Sequence, residues 1–476
     1  MRTSTHPLET TAEEFDAYTA ACVEFVREHL LTLDVQPSFD LTDAAARAAA
    51  FREALPEDGT PLDLLLARLH PAVTTSFNTA GPGYIAFIPG GGIYSAALAD
   101  YIACSVNRYV GVHRAAPALV EIERTAVRWL AELMGYPPTA EGLLTTGGSL
   151  SNLIALVTAR VARLPENFFD GVIYVTEETH SCVAKAARVA GFPARALRQV
   201  PVDARYRMRA DALATLIAAD RAEGLMPFCV VASVGTTNTG AIDPLEAICD
   251  VAAREGLWVH ADAAYGGFFR LADGGPALMP GLERCDSVTL DPHKGLFLPY
   301  GTGCLLVRDP GALACAHASH AAYLRDVEAH GDAVNFADIS PELSRDFRGL
   351  RVWLPFMLHG VGAFRDQLTE KLALTRDAHE RLARHAHFEI LDAPQLTVIA
   401  FRLRVLGVSP DAEDACNAAL LDRVNARLRV FLSSTVMNGR TVLRICVLSF
   451  RTHHDRIDDC IRALEDEAAE LLRTTR

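Results

Sequence analysis

The stretch FCVVASVGTTNTGAIDPLEAICDVAAREGLWVHADAAYGG, residues 228–267, decides the fold class. An apolar run at 228–234 is followed by a helical pattern, DPLEAICDVAAREG at 243–256, and then by a second apolar run, LWVHADAA. Strand, helix and strand at that spacing form one βαβ unit, which places the two strands side by side and parallel. Asp243 is expected to cap the helix and Pro244 to be its first residue.

The same alternation extends from about Gly142 to Arg308, so the chain reads as an α/β protein built on a mostly parallel central sheet. Upstream, residues from about Thr11 to Leu69 look helical and amphipathic, with a break at LPEDGTP. From about Leu350 onward, helical patterns surround LTVIAFRL and TVLRICVLSF, as expected of a small α+β domain. The organisation expected is a helical segment at 1–77, a large α/β domain at 78–350 and a small domain at 351–476. With 476 residues, half of them hydrophobic, the chain can bury large cores. A formal charge of −14 argues against nucleic acid or an anionic membrane as partner. Eleven scattered cysteines form no C-x-x-C pair and fit a reducing cytoplasm. The N-terminus is polar and acidic where a signal peptide needs an apolar core, and no apolar run is long enough to span a membrane.

Downstream of the deciding stretch comes SVTLDPHKGLFLPYGTGCLLVRD, residues 287–309, in which Asp291, Pro292, His293 and Lys294 separate two strand-like runs. A lysine beside a proline fits a solvated turn. A desolvated lysine, by contrast, has a lowered pKa and forms a Schiff base with carbonyl compounds, pyridoxal phosphate (PLP) included. The second reading requires a phosphate cradle, a carboxylate for the pyridine nitrogen and a flat partner for the ring. Each has a candidate. EGLLTTGGSLSNLIALV reads as strand, turn and helix, so Gly147, Gly148 and Ser149 stand at a helix start, where free N–H groups favour anions; an ordinary turn capped by Ser149 would look the same. Asp262 ends an apolar strand, where a carboxylate faces the ligand crevice of an α/β sheet. His260 shares its face, so a metal pair is an alternative, although no further cluster supports a metal. His180 marks another strand-to-helix change in GVIYVTEETHSCVAKAA.

Taken in order, TTGGSLSN, EETHSCVAKAA, VGTTNTG, HADAAYGG, DPHK and ELSRDFRGLRVW resemble the group II PLP-dependent amino-acid decarboxylases over nearly the whole chain. The resemblance implies the PLP-dependent transferase fold of the aspartate-aminotransferase type (fold type I). It also implies a homodimer with the active site at the subunit interface and an N-terminal segment wrapped over the partner. It assigns the covalent link to PLP to Lys294, the pyridine nitrogen to Asp262, ring stacking to His180 and the phosphate to Gly148 and Ser149. Thr237 would lie beside the ring and His293 next to the Schiff base. Phe87, Ile88 and Pro89 match the family's side-chain pocket, and Tyr109 falls where its aromatic-specific members carry another pocket side chain. Tyr323, 29 residues after Lys294, matches a catalytic lid tyrosine that returns a proton to the substrate carbon; a surface loop aromatic is the plainer alternative.

The chain also departs from the family. Asp291 stands where the aromatic enzymes commonly have asparagine, and Gly295 where they usually have tryptophan. Arg108, His113 or Arg114 would suit an acidic substrate or a solvated surface. The activity implied is decarboxylation of an L-amino acid, the substrate an aromatic one or else an acidic or aliphatic one. The alternatives are an oxygen-dependent aldehyde synthase, an aminotransferase using Arg351, Arg402 or Arg444 on the substrate carboxylate, another PLP enzyme such as a carbon–sulfur lyase, or a PLP-free binding protein.

Overall fold

The structure, a computed structural model, describes residues 8–319 and 333–474. Helix α1 (Ala12–Leu31) opens on a capping box: the Thr11 hydroxyl accepts from Glu14 N, and the Glu14 carboxylate accepts from Thr11 N. Helices α2 (Ala44–Ala49) and α3 (Leu62–Thr74) follow, so the N-terminal region is broken twice, not once as expected. The first break follows Thr32, whose hydroxyl turns back to the Glu28 carbonyl at 2.7 Å. None of the three helices buries a residue, and Phe15, Tyr18, Leu64 and Leu65 stand exposed. Helices α4 (Tyr94–Val106) and α5 (Pro117–Leu133) lead into the sheet.

The elements then alternate as expected: β1 (Glu141–Thr145), α6 (Gly148–Arg163), β2 (Gly171–Val175), α7 (Ser181–Val189), β3 (Leu197–Gln199), α8 (Ala210–Ala222), β4 (Met226–Ser233), α9 (Leu245–Glu255) and β5 (Trp258–Asp262). Next come β6 (Ser287–Leu290), the single turn α10 (Pro292–Gly295), β7 (Gly303–Val307) and α11 (Ala312–His317). The sheet order is β1-β7-β6-β5-β4-β2-β3, and only β7 runs against its neighbours. Strands β2, β6 and β7 are buried along their whole length, as strands with both faces covered must be, which explains their unbroken apolar runs.

One local expectation fails. Helix α9 starts at Leu245, and Asp243 caps nothing. Its buried carboxylate accepts instead from Met208 N (2.6 Å) and Ser233 N (2.7 Å), stapling a loop to the end of β4, and burial pushes its pKa up to about 6.

Helix α12 (Gly349–Arg384) is kinked at Gly360, where φ is 71°. It is followed by β8 (Phe388–Ile390), β9 (Val398–Leu403), α13 (Pro410–Ala426), β10 (Ser433–Met437), β11 (Arg440–Cys446) and α14 (His454–Thr474). The four strands form an antiparallel sheet in the order β10-β11-β9-β8, with a core of its own beneath α13 and α14. Asn438 and Gly439, at φ 51° and 71°, close the β10–β11 hairpin as a tight two-residue turn requires. No described helix is long and apolar enough to cross a membrane.

Candidate active site

Strands β4 and β5 and the turns after β1, β2 and β6 end around one cavity of about 390 Å³. It collects Gly147, Gly148, Ser149, His180, Thr237, Asp262, His293 and Lys294, residues drawn from five separate segments of sequence. This is the crevice at the carboxyl ends of the strands where open α/β sheets bind ligands.

Helix α6 begins with no side-chain cap, so Ser149 is not the cap that a plain turn would have made it. Gly147 has φ 151°, open to glycine alone. A side-chain carbon on Gly148 would sit 3.1 Å from the Asp291 carboxylate and 3.3 Å from Ala264. The first turn of α6 therefore packs closely on the DPHK turn and opens its N–H end onto the cavity.

Lys294 lies in α10, part-buried, with Nζ 2.9 Å from Asp291 Oδ2. Burial pushes its amine down, but the Asp291 carboxylate, helped by Asp262, outweighs this and holds the pKa above the ordinary lysine value. The expected lowering is thus reversed, because one helical turn brings Asp291 back over the amine. The other oxygen, Asp291 Oδ1, is buried with no hydrogen-bond partner. His293 donates from Nδ1 to the Thr302 carbonyl at 2.6 Å, which leaves Nε2 toward Asp291 at 3.7 Å. Gly295 has a steric reason: a side-chain carbon there would come within 2.7 Å of Phe268, so a tryptophan does not fit.

Asp262 ends β5 as expected, accepting from Asn152 Nδ2 (3.1 Å) and Ala264 N (3.2 Å). His180 is not at a strand end; β2 stops at Val175, and His180 is the N-cap of α7, its Nδ1 accepting from Cys182 N. Its ring remains open to the cavity. Thr237 is held through its carbonyl by Arg444, which also donates to the Asn238 carbonyl at 3.1 Å.

Phe87, Ile88, Pro89 and Tyr109 do not line this cavity. The segment of Phe87, Ile88 and Pro89 passes beside α10, where a side-chain carbon on Gly90 would collide with the His293 carbonyl, and the Tyr109 hydroxyl donates to the Leu343 carbonyl at 2.9 Å. Phe87 is 49% exposed and Tyr109 39%. Arg108, His113 and Arg114 do not line it either. Tyr323 lies outside the described residues.

Sequence reasoning missed Asn152, Glu178 and Cys182, which also face the cavity. Asn152 had a signal: it stands four residues after Gly148, on the same face of α6. The metal alternative for His260 falls away. Its ring nitrogens lie 2.6 Å from Asn152 Oδ1 and 2.8 Å from Ser287 Oγ, and no metal-binding cluster occurs among the described residues.

Full burial pushes the His260 pKa down to about 4. An unfolded imidazole titrates near 6.5, so between these values the unfolded chain binds more protons and stability falls as the pH drops. The loss amounts to about 3 kcal/mol. Asp243, raised by burial, acts in the opposite sense and gains stability as the pH falls through about 6. His260→Gln, which keeps an N–H for Asn152, is therefore expected to flatten the acid limb of unfolding free energy against pH. Denaturant titrations from pH 7 to 4 check this, and an unchanged slope would assign the acid limb to other groups.

The family model for the pyridoxal-dependent decarboxylase conserved domain matches residues 46–404. An aromatic-L-amino-acid decarboxylase of Bacillus atrophaeus is 33% identical over 97% of this chain and 98% of its own length. A phenylacetaldehyde synthase of Arabidopsis thaliana is 25% identical over 97% of each chain. Among solved structures, Oryza sativa TDC with PLP and tryptamine superposes with a TM-score of 0.92 at 27% identity, covering 98% of this chain and all of the other.

Proposed function

From the premise that the chain belongs to the pyridoxal-dependent decarboxylase family and is a PLP-dependent amino-acid decarboxylase, we propose that its substrate is an aromatic L-amino acid and its products the amine and carbon dioxide. One observation carries this reading: Lys294, Asp262, His180 and the start of α6 converge on a single cavity that no arginine lines among the described residues.

The donor set fits the cofactor. The open N-terminal turn of α6 at Gly147–Ser149 would take the phosphate, and the His180 ring would lie against the pyridine. Asp262 would keep the pyridine nitrogen protonated, and Lys294 would provide the covalent link. Bound there, PLP supplies an electron sink for the pair left on the substrate's α-carbon when carbon dioxide departs. The covalent link needs the neutral amine, so the ion pair with Asp291, 2.9 Å away, must part for Lys294 to lose its extra proton.

An aminotransferase would clamp the substrate carboxylate with an arginine. Here Arg351 is held by Asp100 (2.6 Å) and the Gly301 carbonyl, Arg402 by Glu413 and Asp414, and Arg444 by backbone carbonyls at Thr237 and Asn238. A substrate carboxylate left unpaired is the one that departs as carbon dioxide. The exposed apolar faces of α1 and α3, with Phe87 and Tyr109, support a second copy of this chain that covers them and completes the side-chain pocket. The division at residues 77 and 350 belongs to this proposal.

Tyr323 is the proposed acid that returns a proton to the α-carbon. Under air, the enzyme is expected to release amine and carbon dioxide from L-tryptophan, L-tyrosine or L-phenylalanine and little from L-glutamate. Tyr323→Phe is expected to shift the products toward aldehyde, ammonia and hydrogen peroxide, with oxygen consumed. Product analysis decides: mostly aldehyde from the native enzyme, or a 2-oxo acid without carbon dioxide, overturns the reading.

A further inference from the structure

Behind Asp262 lies a file of buried polar side chains that the reaction does not touch. Trp258 Nε1 is 2.8 Å from Ser287 Oγ, and Ser287 Oγ is 2.8 Å from His260 Nδ1. His260 Nε2 is 2.6 Å from Asn152 Oδ1, and Asn152 Nδ2 is 3.1 Å from Asp262 Oδ2. Trp258, Ser287, His260 and Asn152 are each at most 2% exposed.

The donor sense of every link follows from the ends. An indole N–H only donates, and an ionised carboxylate only accepts. Asn152 Nδ2 donates to Asp262, so the amide oxygen faces His260 Nε2, which must donate; Nδ1 of a neutral ring then accepts, and the Ser287 hydroxyl, itself accepting from Trp258, gives its proton to it. A neutral imidazole has one N–H, which must then be on Nε2 and point at Asn152; burial keeps this ring neutral. The Asn152 oxygen thus accepts from His260 and also from the Thr289 hydroxyl at 3.2 Å. Its amide N–H groups are left for Asp262 and for Cys182 Sγ, 3.2 Å away. Turning the amide over would set its oxygen against the carboxylate and its NH2 group against a ring N–H and a hydroxyl donor. The fold admits one arrangement, in which each dipole donates toward Asp262.

We propose that Asn152 is a positioning residue: backed by His260, Ser287 and Trp258, it fixes the rotamer of Asp262 and aims its carboxylate at the bound cofactor's pyridine nitrogen, whose protonation it thereby sets. This inference rests on the cofactor reading above. A carboxylate that receives aligned donors on its buried side is held in one orientation and presents its remaining lone pairs to the cavity. Asn152→Ala removes the donor. Asn152→Asp keeps the shape but puts a second acceptor against Asp262.

The test loads wild-type and variant holoenzymes with PLP labelled with 15N in the ring and reads the nitrogen chemical shift across pH. The wild type is expected to hold a protonated ring nitrogen throughout the stable range. Asn152→Ala and Asn152→Asp are expected to move the signal toward the unprotonated position and to lower kcat by about 10–100-fold, taking the scale known for residues that orient metal ligands, with KM little changed. His260→Leu should act in the same direction, and His260→Gln, which keeps an N–H for Asn152, should restore much of the signal. These two carry the test if the Asn152 variants fail to fold. A wild-type shift in both Asn152 variants, or in His260→Leu, overturns the inference while leaving the cofactor reading intact. Failure of the wild type to take up PLP overturns both.

Discussion

Lys294→Ala is expected to abolish decarboxylation while leaving a folded dimer that still binds PLP without a covalent bond. Losing a covalent catalytic residue costs roughly 10⁴-fold or more in turnover. Binding should survive because the candidate contacts for phosphate, ring nitrogen and ring face come from α6, Asp262 and His180, on other segments. The variant also leaves Asp291 buried without its ion-pair partner, so its melting temperature should fall unless that carboxyl protonates. Light scattering should give a mass of two chains. Borohydride reduction should tag Lys294 in the wild type, by peptide mass spectrometry, and no residue in the variant. Turnover near the wild-type level, or a tag on another lysine, would reassign the covalent link.

Asp262→Asn should cost about 10²–10³ in kcat, the scale for removing one group that stabilises developing charge. The asparagine oxygen would still accept from Asn152 Nδ2, which leaves an NH2 group, rather than a carboxylate, toward the cavity. An amide cannot hold a proton on a pyridine nitrogen, and the neutral ring is a poor electron sink. Steady-state kinetics with the preferred substrate tests this, and a loss below about tenfold, far under that range, removes Asp262 from the role.

Much of this was legible in the sequence, for definite reasons. Periodicity announced the βαβ unit at 228–267. Once the strands are parallel, a polar residue where an apolar run stops must face the crevice, which located Asp262 and the start of α6. What stayed hidden depends on partners distant in sequence. Asp243 looks like a helix cap, yet it serves Met208, 35 residues upstream. Asn152 and Ser287 look like ordinary helix and strand residues; they are joined through His260 only because α6 packs across β5 and β6. The sign of the Lys294 shift depends on where one turn of helix aims Asp291, which no residue count specifies. The pocket side chains at 87–89 and 109 rest on resemblance alone; in a single chain Phe87 and Tyr109 are exposed while Ile88 packs on the core and Pro89 is buried.

Helix α6 carries Gly148 in its first turn and Asn152 in its second, so a single rigid rod mounts the phosphate end of the cavity and the brace for Asp262. Beneath it, Ile154, Ala155 and Ala159 pack into the core. A substitution there tilts or slides the rod, carrying both fittings together and keeping their spacing. Asp262 stands on β5 and not on the rod, so such a movement alters the gauge between the two ends of the cofactor and loosens the brace in the same step. Divergence should accumulate fastest on the exposed end of α6, at residues 161–163, and slowest on its core face and where β5 meets it.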